Sequence, residues 1–344
     1  MAELDHWHPV LRSEELRKKP VGVRVAGREL VVFRAGAGLG ALPDRCPHRA
    51  MRLSEGKVED GKLRCPYHGW RWAPDGRGEV PGSPSFQPCA EHFDTVERLG
   101  AIWIKSSTSS AAFPRFDVEG WSAVGRLRHV VEAPLELVLD NFTEVEHTGE
   151  THRFLGHDTA RMAEVESKTT LEADSIRVTN VGPQRRLPAL FYPLLGIPRD
   201  ALFVDDWTTW FSPVHAVYDQ YWLDARTRAP VGDALRIAVF FNPITEARTE
   251  LFTLAYARGA PWGRLGLNAV MLPITRALVD LEVERDRAML GRLADKSTSI
   301  RGNLLGRFDK ALVASRQRID RIYRGRPGGA LPVVSGPSRS GEAS

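Results

Sequence analysis

Alternating apolar and polar positions mark the first third of the chain as a β region. Short β-branched runs fill Pro20–Arg34 on both sides of Gly27-Arg28, which predicts two strands joined by a turn. Val96–Lys105 has the alternation of one further strand. The small, polar, Pro-terminated segment Ser106–Pro114 is typical of a linker. These patterns predict a small all-β domain over residues 1–115.

The remainder of the chain alternates between helical and strand periodicity. Helical spacing is present in three segments, Glu132–Thr148, Leu278–Leu293 and Arg307–Ile322. Long strand-like alternation is present in three others, Met162–Val181, Val204–Ala225 and Leu235–Ala257. We expect an antiparallel sheet with flanking helices over residues 116–325, so the predicted fold class is α+β. Residues 326–344 are rich in Gly, Pro and Ser, which predicts a disordered tail.

Composition narrows the class of protein further. The 344 residues are 42% hydrophobic and 26% charged, with a formal net charge of +4, which is ordinary for a globular protein. The arginines are spread along the chain without an aromatic-rich basic run, so we expect no nucleic-acid partner. Pro and charged residues interrupt the most apolar stretches, Leu187–Val204 and Leu265–Leu281, so we expect no membrane span. With no signal-like N-terminus and only three cysteines, the chain is predicted to be cytoplasmic.

Two Cys-His pairs carry the strongest chemical signal. Cys46 and His48 flank one proline, and after sixteen intervening residues Cys65 and His68 stand in Cys-Pro-Tyr-His-Gly. Two thiolates on one iron and two imidazoles on the other are the ligands of a Rieske [2Fe–2S] cluster, an electron-transfer centre. A structural zinc site is the alternative, but zinc fingers group their cysteines and histidines instead of alternating them. Cys89 has no partner at ligand spacing, and we expect no role for it.

A second candidate metal site lies on the first helix predicted after the linker. Asp140, Glu144 and His147 are spaced i, i+4 and i+7, which predicts that they share one helical face. His152 follows five residues after His147, so both imidazoles reach one metal only if the helix bulges or ends between them, and Gly149 is well placed to allow that. Two histidines and one carboxylate on one side of Fe(II) leave positions open for O₂, as in non-haem oxygenases. A polar helix face with incidental histidines is the alternative.

Glu144 and His147 also fit the Glu-x-x-His pattern of di-iron helical bundles. That architecture requires a matching motif on another core helix. The other match, Glu3-x-x-His6, lies at the start of the chain, so we reject this alternative.

In this order, the two motifs resemble the oxygenase component, or α subunit, of Rieske non-haem iron oxygenases. The N-terminal motifs follow the family pattern most closely: Cys46-Pro-His-Arg, Leu53-Ser-Glu-Gly and Cys65-Pro-Tyr-His-Gly-Trp. The resemblance covers most of the chain. It implies a Rieske domain followed by a helix-grip-like catalytic domain.

The resemblance also implies roles for individual residues. The family's iron helix reads Asp-Asn-x-x-Asp-x-x-His-x₄-His, which maps onto Asp140, Asn141, Glu144, His147 and His152. Glu144 stands where the family usually has an Asp that bridges a Rieske histidine of one subunit to an iron-ligand histidine of its neighbour. Glu144 and Asn141 are therefore the candidate catalytic residues, and Glu146, which lies off that face, is the weaker candidate for the bridge.

The family's third iron ligand is an Asp on a late helix. The best match here is Asp286, within Arg285-Asp-Arg-Ala-Met-Leu, and Glu282 one turn earlier is the runner-up. The implied iron ligands are therefore His147, His152 and Asp286.

The implied function is O₂-dependent insertion of one oxygen atom into an aromatic or polycyclic small molecule, by hydroxylation or oxidative demethylation. The length resembles that of the shorter, monooxygenase-like members, with ring-dihydroxylating dioxygenases as the alternative. No nucleotide-binding fingerprint or plant-type ferredoxin cysteine set occurs, so a separate ferredoxin or reductase must pass on electrons from NAD(P)H. The family's head-to-tail homotrimer, with one subunit's cluster near the next subunit's iron, is also implied. The rival from another class is a Rieske electron carrier, which would leave His147 and His152 without a purpose.

We expect the sheet to form a substrate cavity above the iron. The candidate wall residues are Trp207, Trp210, Phe211 and Tyr221 on the strands, with Phe142 and Asn141 beside the iron helix. Ordinary core packing is the alternative for each strand aromatic.

Overall fold

The computed structural model of the chain describes residues 2–259 and 268–326, and its N-terminal region contains ten strands. In chain order, β1 to β10 are His8–Arg12, Val21–Val25, Arg28–Ala35, Gly38–Pro43, Lys57–Glu59, Lys62–Arg64, Arg71–Trp72, Gly78–Glu79, Phe93–Arg98 and Ala101–Ser106. Six of them form one antiparallel sheet in the order β1-β10-β9-β4-β3-β2. The four short strands β5 to β8 form a second sheet in chain order. The loops that carry the Cys-His pairs follow β4 and connect β6 with β7.

Two-residue turns close two hairpins of the larger sheet. The φ angles are 49° and 73° in Ala26-Gly27, and 57° and 71° in Leu99-Gly100. Turns with two positive φ angles match the right-handed twist of paired strands. The turn predicted within Pro20–Arg34 is confirmed. The single strand predicted over Val96–Lys105 was wrong, because the second turn divides it into β9 and β10.

The C-terminal region is organised around one antiparallel sheet of seven strands. In chain order, β11 to β17 are Ser122–Val131, Glu166–Leu171, Ser175–Pro183, Leu202–Phe211, Val214–Leu223, Pro230–Thr245 and Arg248–Arg258. Strands β12 to β17 pair consecutively, and β11 pairs with β17 at the far edge. Nine consecutive residues of β17 are buried, because the N-terminal region covers one face of the strand and helices cover the other.

Each of the three long strands predicted for this sheet is a hairpin. Met162–Val181 covers β12 and most of β13, Val204–Ala225 covers most of β14 and all of β15, and Leu235–Ala257 covers most of β16 and β17. The turns between them are tight, so the alternation of apolar positions continues past each turn. Periodicity alone therefore predicted the strand type and missed the reversals.

Five α-helices complete the C-terminal region as the structure describes it. In chain order, α1 to α5 are Leu135–Phe142, Glu146–Thr151, Phe191–Leu195, Asn268–Leu290 and Leu312–Arg318, and a π-helical turn follows α5 at Ile319–Tyr323. Helix α4 packs on β11 and α1 packs on β16, and the two helices also contact each other. The helices predicted at Leu278–Leu293 and Arg307–Ile322 correspond to α4 and α5 with shifted ends. None of the described helices is both long and apolar enough to span a membrane.

The single helix predicted over Glu132–Thr148 was wrong, because the chain leaves helical geometry at Thr143. The Thr143 amide donates to the carbonyl oxygen of Asp140 at 3.2 Å, and its hydroxyl donates to that of Leu139 at 2.8 Å. These bonds satisfy two carbonyl groups at the end of α1, as a helix terminus requires. Helix α2 then begins at Glu146.

The two large sheets share part of their core. Trp103 of β10 meets Phe240 of β16 edge to face, with ring centroids 4.9 Å apart. His8 Nδ1 and Asn242 Oδ1, which lie 2.9 Å apart, add a buried hydrogen bond between the same regions. The predicted α+β architecture is confirmed. The domain boundary at residues 115/116 stays a prediction, and the predicted tail lies outside the described residues from residue 327.

Candidate metal centres and their cavity

Two short loops hold the Cys-His pairs. The Cys46 amide donates to the carbonyl oxygen of Met51 at 2.8 Å, and the Cys65 amide donates to that of Trp70 at 2.8 Å. Each loop therefore turns back on itself with its cysteine at the base. In the second loop the chain turns at Gly69, whose φ of 72° favours glycine.

The four predicted cluster ligands are brought together by these loops. Both thiols are 2% exposed, and the imidazole rings of His48 and His68 have centroids 4.5 Å apart. His48 stacks on Trp70 at 4.4 Å, and its buried Nδ1 has no hydrogen-bond partner in the protein. An iron ion at that nitrogen would satisfy it, so the site fits the ligand set of a Rieske cluster.

The surroundings of the Cys46 thiol favour its protonated form. Burial raises the pKa of the Cys46 thiol, and the neighbouring Cys65 thiol raises it further. Iron binding offsets this cost because it replaces the thiol protons. His68, in contrast, lies exposed at the tip of the loop beside Tyr67, which is 57% exposed.

The second metal site joins two elements that are far apart in sequence. His147 lies in α2, His152 directly follows α2, and Asp286 lies in α4. Asp286 Oδ1 is 3.3 Å from His147 Nε2 and 3.1 Å from His152 Nε2. One ligand atom from each residue lies within 4.8 Å of the others, so the three side chains are arranged to hold a single metal ion.

The end of α2 allows the two histidines to converge. His152 is the C-cap residue, with φ −81° and ψ 160°, so the chain has left the helix where its imidazole projects. The prediction that the helix ends between the two histidines is confirmed, but the end lies at Thr151 and not at Gly149, which is inside the helix and buried. A Cβ there would lie 2.5 Å from Thr159 Oγ1, so glycine allows close packing against the next segment.

Two arginines that sequence reasoning missed hold the C-terminal end of α2. Arg185 Nη1 donates to the carbonyl oxygens of Thr148 and His152, and Arg285 Nη1 donates to that of Thr151 at 3.0 Å. Cations at a helix C-terminus satisfy its free carbonyl groups and its dipole. No periodicity or motif in the sequence indicates these contacts, because they join distant segments.

Asp286 and its runner-up Glu282 have different tasks. The Glu282 carboxylate accepts the amides of Arg153, at 3.0 and 3.1 Å, and of Phe154, at 2.7 Å. It therefore fixes the loop that follows His152 and is not the third member of the metal site. This geometry favours Asp286 as the iron ligand.

Electrostatics couple the three candidate ligands. Burial alone would raise the pKa of Asp286, but hydrogen bonds and charge from the two histidines outweigh burial and lower it. Burial alone would lower the pKa of His147, but Asp286 and Glu144 raise it to about 10. A metal cation at Nε2 would replace the proton that these carboxylates favour.

Glu144 supports the site from behind His147. Its Oε1 is hydrogen-bonded to His147 Nδ1, and its Oε2 accepts the amides of Glu146 at 2.5 Å and His147 at 3.2 Å. The carboxylate thus caps the start of α2 and fixes the imidazole with Nε2 toward Asp286.

The other two residues of the motif lie away from the metal site. Asp140 pairs with Arg316, and burial raises the pKa of Asp140 to about 6 despite that partner. The prediction that Asp140 shares one face with Glu144 and His147 was wrong, because α1 ends between them. Asn141 is buried, its Nδ2 has no partner, and it is not among the residues that line the cavity described next.

A cavity of about 630 Å³ opens at the metal site. Most of its wall is apolar, and its members outside the metal site include Phe142, Leu155, Tyr218, Ile237, Val239, Val279 and Val283. Four carboxylates also line it: Glu144, Asp205, Glu282 and Asp286.

The predicted aromatic walls were wrong except for Phe142. Trp210 and Tyr221 alternate onto the opposite face of their strands from Asp205 and Gln220, which line the cavity. Trp207 and Phe211 lie on the same face as Asp205 but are packed within the core. Sequence reasoning missed Asp205 and Gln220, although polar residues at buried positions of a strand were a usable signal.

Comparison with known proteins agrees with this arrangement. Residues 6–97 match the Rieske [2Fe-2S] domain, and residues 131–324, more than half of the chain, match the vanillate O-demethylase oxygenase C-terminal domain. Over 165 residues, 42% of this chain and 46% of the relative, it is 34% identical to the methylxanthine N1-demethylase NdmA of Pseudomonas putida. Over 127 residues, 33% and 29% of the two chains, it is 35% identical to the 3-chlorobenzoate-3,4-dioxygenase oxygenase subunit of Comamonas testosteroni.

The sequence alignments thus span less than half of these relatives. The structure of NdmA from Pseudomonas putida CBB5 with caffeine superimposes with a TM-score of 0.72 at 23% identity, covering 94% of this chain and 92% of that one. That likeness extends the shared fold over both regions. The zinc alternative for the Cys-His loops has no support in these matches. The family predicted from the motifs is confirmed, and the chain belongs to the Rieske oxygenases whose second domain is of the vanillate O-demethylase type.

Proposed function

We propose that this chain is the oxygenase component of an O₂-dependent Rieske monooxygenase. It inserts one oxygen atom into an aromatic or polycyclic small molecule, by hydroxylation or oxidative demethylation. The convergence of His147, His152 and Asp286 at an apolar cavity is the observation that carries this proposal. Fe(II) held by such a set supplies open positions for O₂.

The surrounding residues position the site. Glu144 holds the His147 tautomer that leaves Nε2 free for the metal, and Glu282 fixes the chain after His152. The apolar side chains of the cavity exclude water from the reacting atoms and orient a hydrophobic substrate. Asp286 is 3% exposed, so a metal ion bound to it would lie in the interior of the protein.

Electrons would come from a separate ferredoxin or reductase that draws on NAD(P)H. The exposed His68 and Tyr67 place the edge of the cluster site at the surface. Among the described residues, no hydrogen bond or ring contact joins this loop to the metal site of the same chain. We therefore retain the head-to-tail homotrimer, in which Glu144 would meet a cluster histidine of the neighbouring subunit. The cytoplasm stays the proposed location, since all three cysteines are free of disulfides.

Two alternatives remain. A ring-dihydroxylating dioxygenase is the second candidate, because one relative carries that name, whereas the vanillate O-demethylase domain and NdmA favour insertion of one atom. An electron carrier without its own chemistry would leave the triad of His147, His152 and Asp286 and its cavity unexplained.

Metal counting and isotope labelling test the proposal. We expect about three irons for every two inorganic sulfides, whereas an electron carrier would hold about two. With a surrogate reductase and candidate aromatic compounds, turnover under ¹⁸O₂ should place one labelled atom in the product. Two labelled atoms would indicate dihydroxylation, and a protein without the additional iron would contradict the proposal.

A further inference from the structure

A second cavity of about 770 Å³ adjoins the one at the metal site. The two share Leu155, Val279 and Glu282 as lining residues. Aromatic and aliphatic side chains from the loop before α3, from α3 itself, from β15 and from α4 line the second cavity, among them Phe191, Trp222 and Leu278. The second cavity is therefore an apolar space that borders the metal-site cavity at these three side chains.

The polar groups of this second cavity are already engaged within the protein. Thr275 donates to the carbonyl oxygen one turn earlier on α4, and Trp222 Nε1 donates to a glutamine side chain at 2.7 Å. Glu282 accepts two backbone amides, and the buried Asp233 is not free of partners. The second cavity thus offers a ligand mainly hydrocarbon surface, which favours an apolar group.

The cavity at the metal site, in contrast, is lined by several charged groups. It has four carboxylates and no Lys or Arg among its described lining residues. Three of the carboxylates serve the metal site and its loop, which leaves Asp205 without a task in the proposed reaction. Asp205 is 5% exposed and accepts a hydrogen bond from Gln220 Nε2 at 3.1 Å.

Asp205 and Gln220 together form a hydrogen-bond acceptor pair. The amide of Gln220 must direct its NH₂ group to the carboxylate, so its Oε1 is the remaining acceptor, and this buried atom has no partner. Buried polar atoms without a partner are costly. A hydroxyl or N–H group of a ligand would supply the missing donor to Gln220 Oε1 beside the carboxylate of Asp205, whereas an anion would be repelled by the carboxylates.

We propose that the substrate is a mainly apolar molecule that occupies both cavities and carries a hydroxyl or N–H donor bound by Asp205 and Gln220. The proposal rests on the proposed function, because it takes the cavity at the triad as the site of oxygenation. Asp205 and Gln220 select neutral donors over carboxylates beside the metal. The second cavity favours substrates that are long and hydrophobic.

Binding to the anaerobic holoprotein without reductant tests the donor part, because no turnover is needed. The probes are biphenyl-4-ol, biphenyl-4-carboxamide and biphenyl-4-carboxylate, measured by isothermal titration calorimetry. We expect the alcohol and the amide to bind about tenfold more tightly than the carboxylate. Equal binding of all three, or tighter binding of the carboxylate, would overturn the proposal. The alcohol and the amide compared with each other distinguish the two kinds of donor.

Variants of the acceptor pair test the residues themselves. In Asp205→Asn the alcohol and the amide should bind at most about threefold more tightly than the carboxylate, because the charge of Asp205 that repels the carboxylate is gone. Gln220→Met, which removes the amide, should weaken binding of the alcohol and of the carboxamide relative to binding of biphenyl. This variant replaces Asp205→Asn as the test if Asp205→Asn fails to fold. An unchanged ranking of the probes in either folded variant contradicts the assignment.

A helix substitution tests the second cavity separately. Leu278 lines that cavity, and Leu281 on the same helix is 39% exposed and does not line it. Leu278→Trp should weaken binding of biphenyl-4-ol about tenfold and leave the affinity for phenol unchanged. The control Leu281→Trp should change neither affinity. Equal losses for the two ligands, or none, would contradict occupation of both cavities. If binding follows these rankings and no ¹⁸O enters any product, the proposed function fails and the substrate class stands.

Discussion

The two candidate metal centres of this chain are built in opposite ways. The cluster ligands come from two loops that are close in sequence, one after β4 and one between β6 and β7, and His68 is exposed. The triad joins residues 134 positions apart, His152 and Asp286, and Asp286 is 3% exposed. A centre that receives electrons from another protein benefits from exposure, whereas a centre that handles O₂ benefits from an interior that excludes water.

The two centres also differ in how charge is balanced. Carboxylates surround the triad, and Glu144 and Asp286 both contact His147. No carboxylate contacts the cluster histidines among the described residues. The triad is therefore adapted to hold a cation with the help of fixed negative charge, while the cluster site depends on its two thiols.

Loss of a cluster thiolate should have the largest effect and test whether the two centres are independent. Cys65→Ser removes a soft ligand from the loop, so we expect the Rieske visible spectrum and turnover to disappear. Iron at the triad should remain, because the loops do not contact it. Iron analysis and absorption spectra check both statements, and Cys89→Ser, a change at an exposed thiol, is the matched control. Loss of all iron from Cys65→Ser would show that the centres are coupled in folding.

Loss of the triad carboxylate is the reciprocal change. Asp286→Ala should lose the mononuclear iron and reduce turnover at least about a hundredfold, because one of three ligands is removed. The Rieske spectrum should be unchanged. Full activity in this variant would contradict the assignment of Asp286 as an iron ligand.

Glu282→Gln is the matched control for that experiment, since Glu282 lies one turn earlier on α4. The variant keeps the three ligands and weakens only the hold on the amides of residues 153 and 154. We expect iron to be retained and thermal stability to fall modestly. If Glu282→Gln lost iron and Asp286→Ala kept it, the roles of the two residues would be exchanged.

Glu144→Gln should have a smaller effect and probe the link between the centres. Both metals should be retained, while electron transfer falls by about ten- to a hundredfold, because an amide orients and polarises His147 less well than a carboxylate. Single-turnover kinetics measure the effect. Glu146→Gln, which changes an exposed carboxylate two residues away, should be silent. Normal single-turnover rates in Glu144→Gln would remove that residue from the bridge.

The contrast between the centres also explains what could be predicted from the sequence. The cluster motif is local, so spacing alone identified Cys46, His48, Cys65 and His68 as a group. Spacing alone left His147 and His152 open to interpretation as incidental histidines, and the family resemblance identified them as ligands. Asp286 also required that resemblance, since a contact across 134 residues leaves no local pattern. The structure then separated Asp286 from Glu282 by what each carboxylate contacts.

Predictions that depended on regular geometry were the ones that failed. Asp140 left the predicted face because Thr143 ends α1, and the long strands were hairpins because tight turns hide within an alternating pattern. Trp207 was predicted as a cavity wall, but neighbouring side chains fill the space beside it. Such outcomes are decided by tertiary packing, which a hydrophobic pattern constrains without specifying.

A buried histidine in the core of the C-terminal region should make the stability of the fold depend on pH. His215 of β15 is 2% exposed and lies between the rings of Trp210 and Phe240, with centroids at 5.2 and 4.8 Å. Burial lowers the pKa of His215 to about 4, although its hydrogen bond to the Pro213 carbonyl oxygen opposes this. In an unfolded chain the pKa of histidine is about 6.5.

The sign of the effect follows from proton uptake. Between pH 6.5 and pH 4 the unfolded chain binds a proton at this site and the native chain does not, so the free energy of unfolding decreases as the pH falls. For a shift of this size the loss approaches about 3 kcal/mol near pH 4. His215→Phe retains the stacked ring and cannot titrate. Its stability should be lower at neutral pH by about 1 kcal/mol through the lost hydrogen bond, but should depend less on pH. Urea unfolding of the holoprotein at a series of pH values measures both slopes, and equal slopes would show that His215 is already protonated in the native protein or remains neutral in both states.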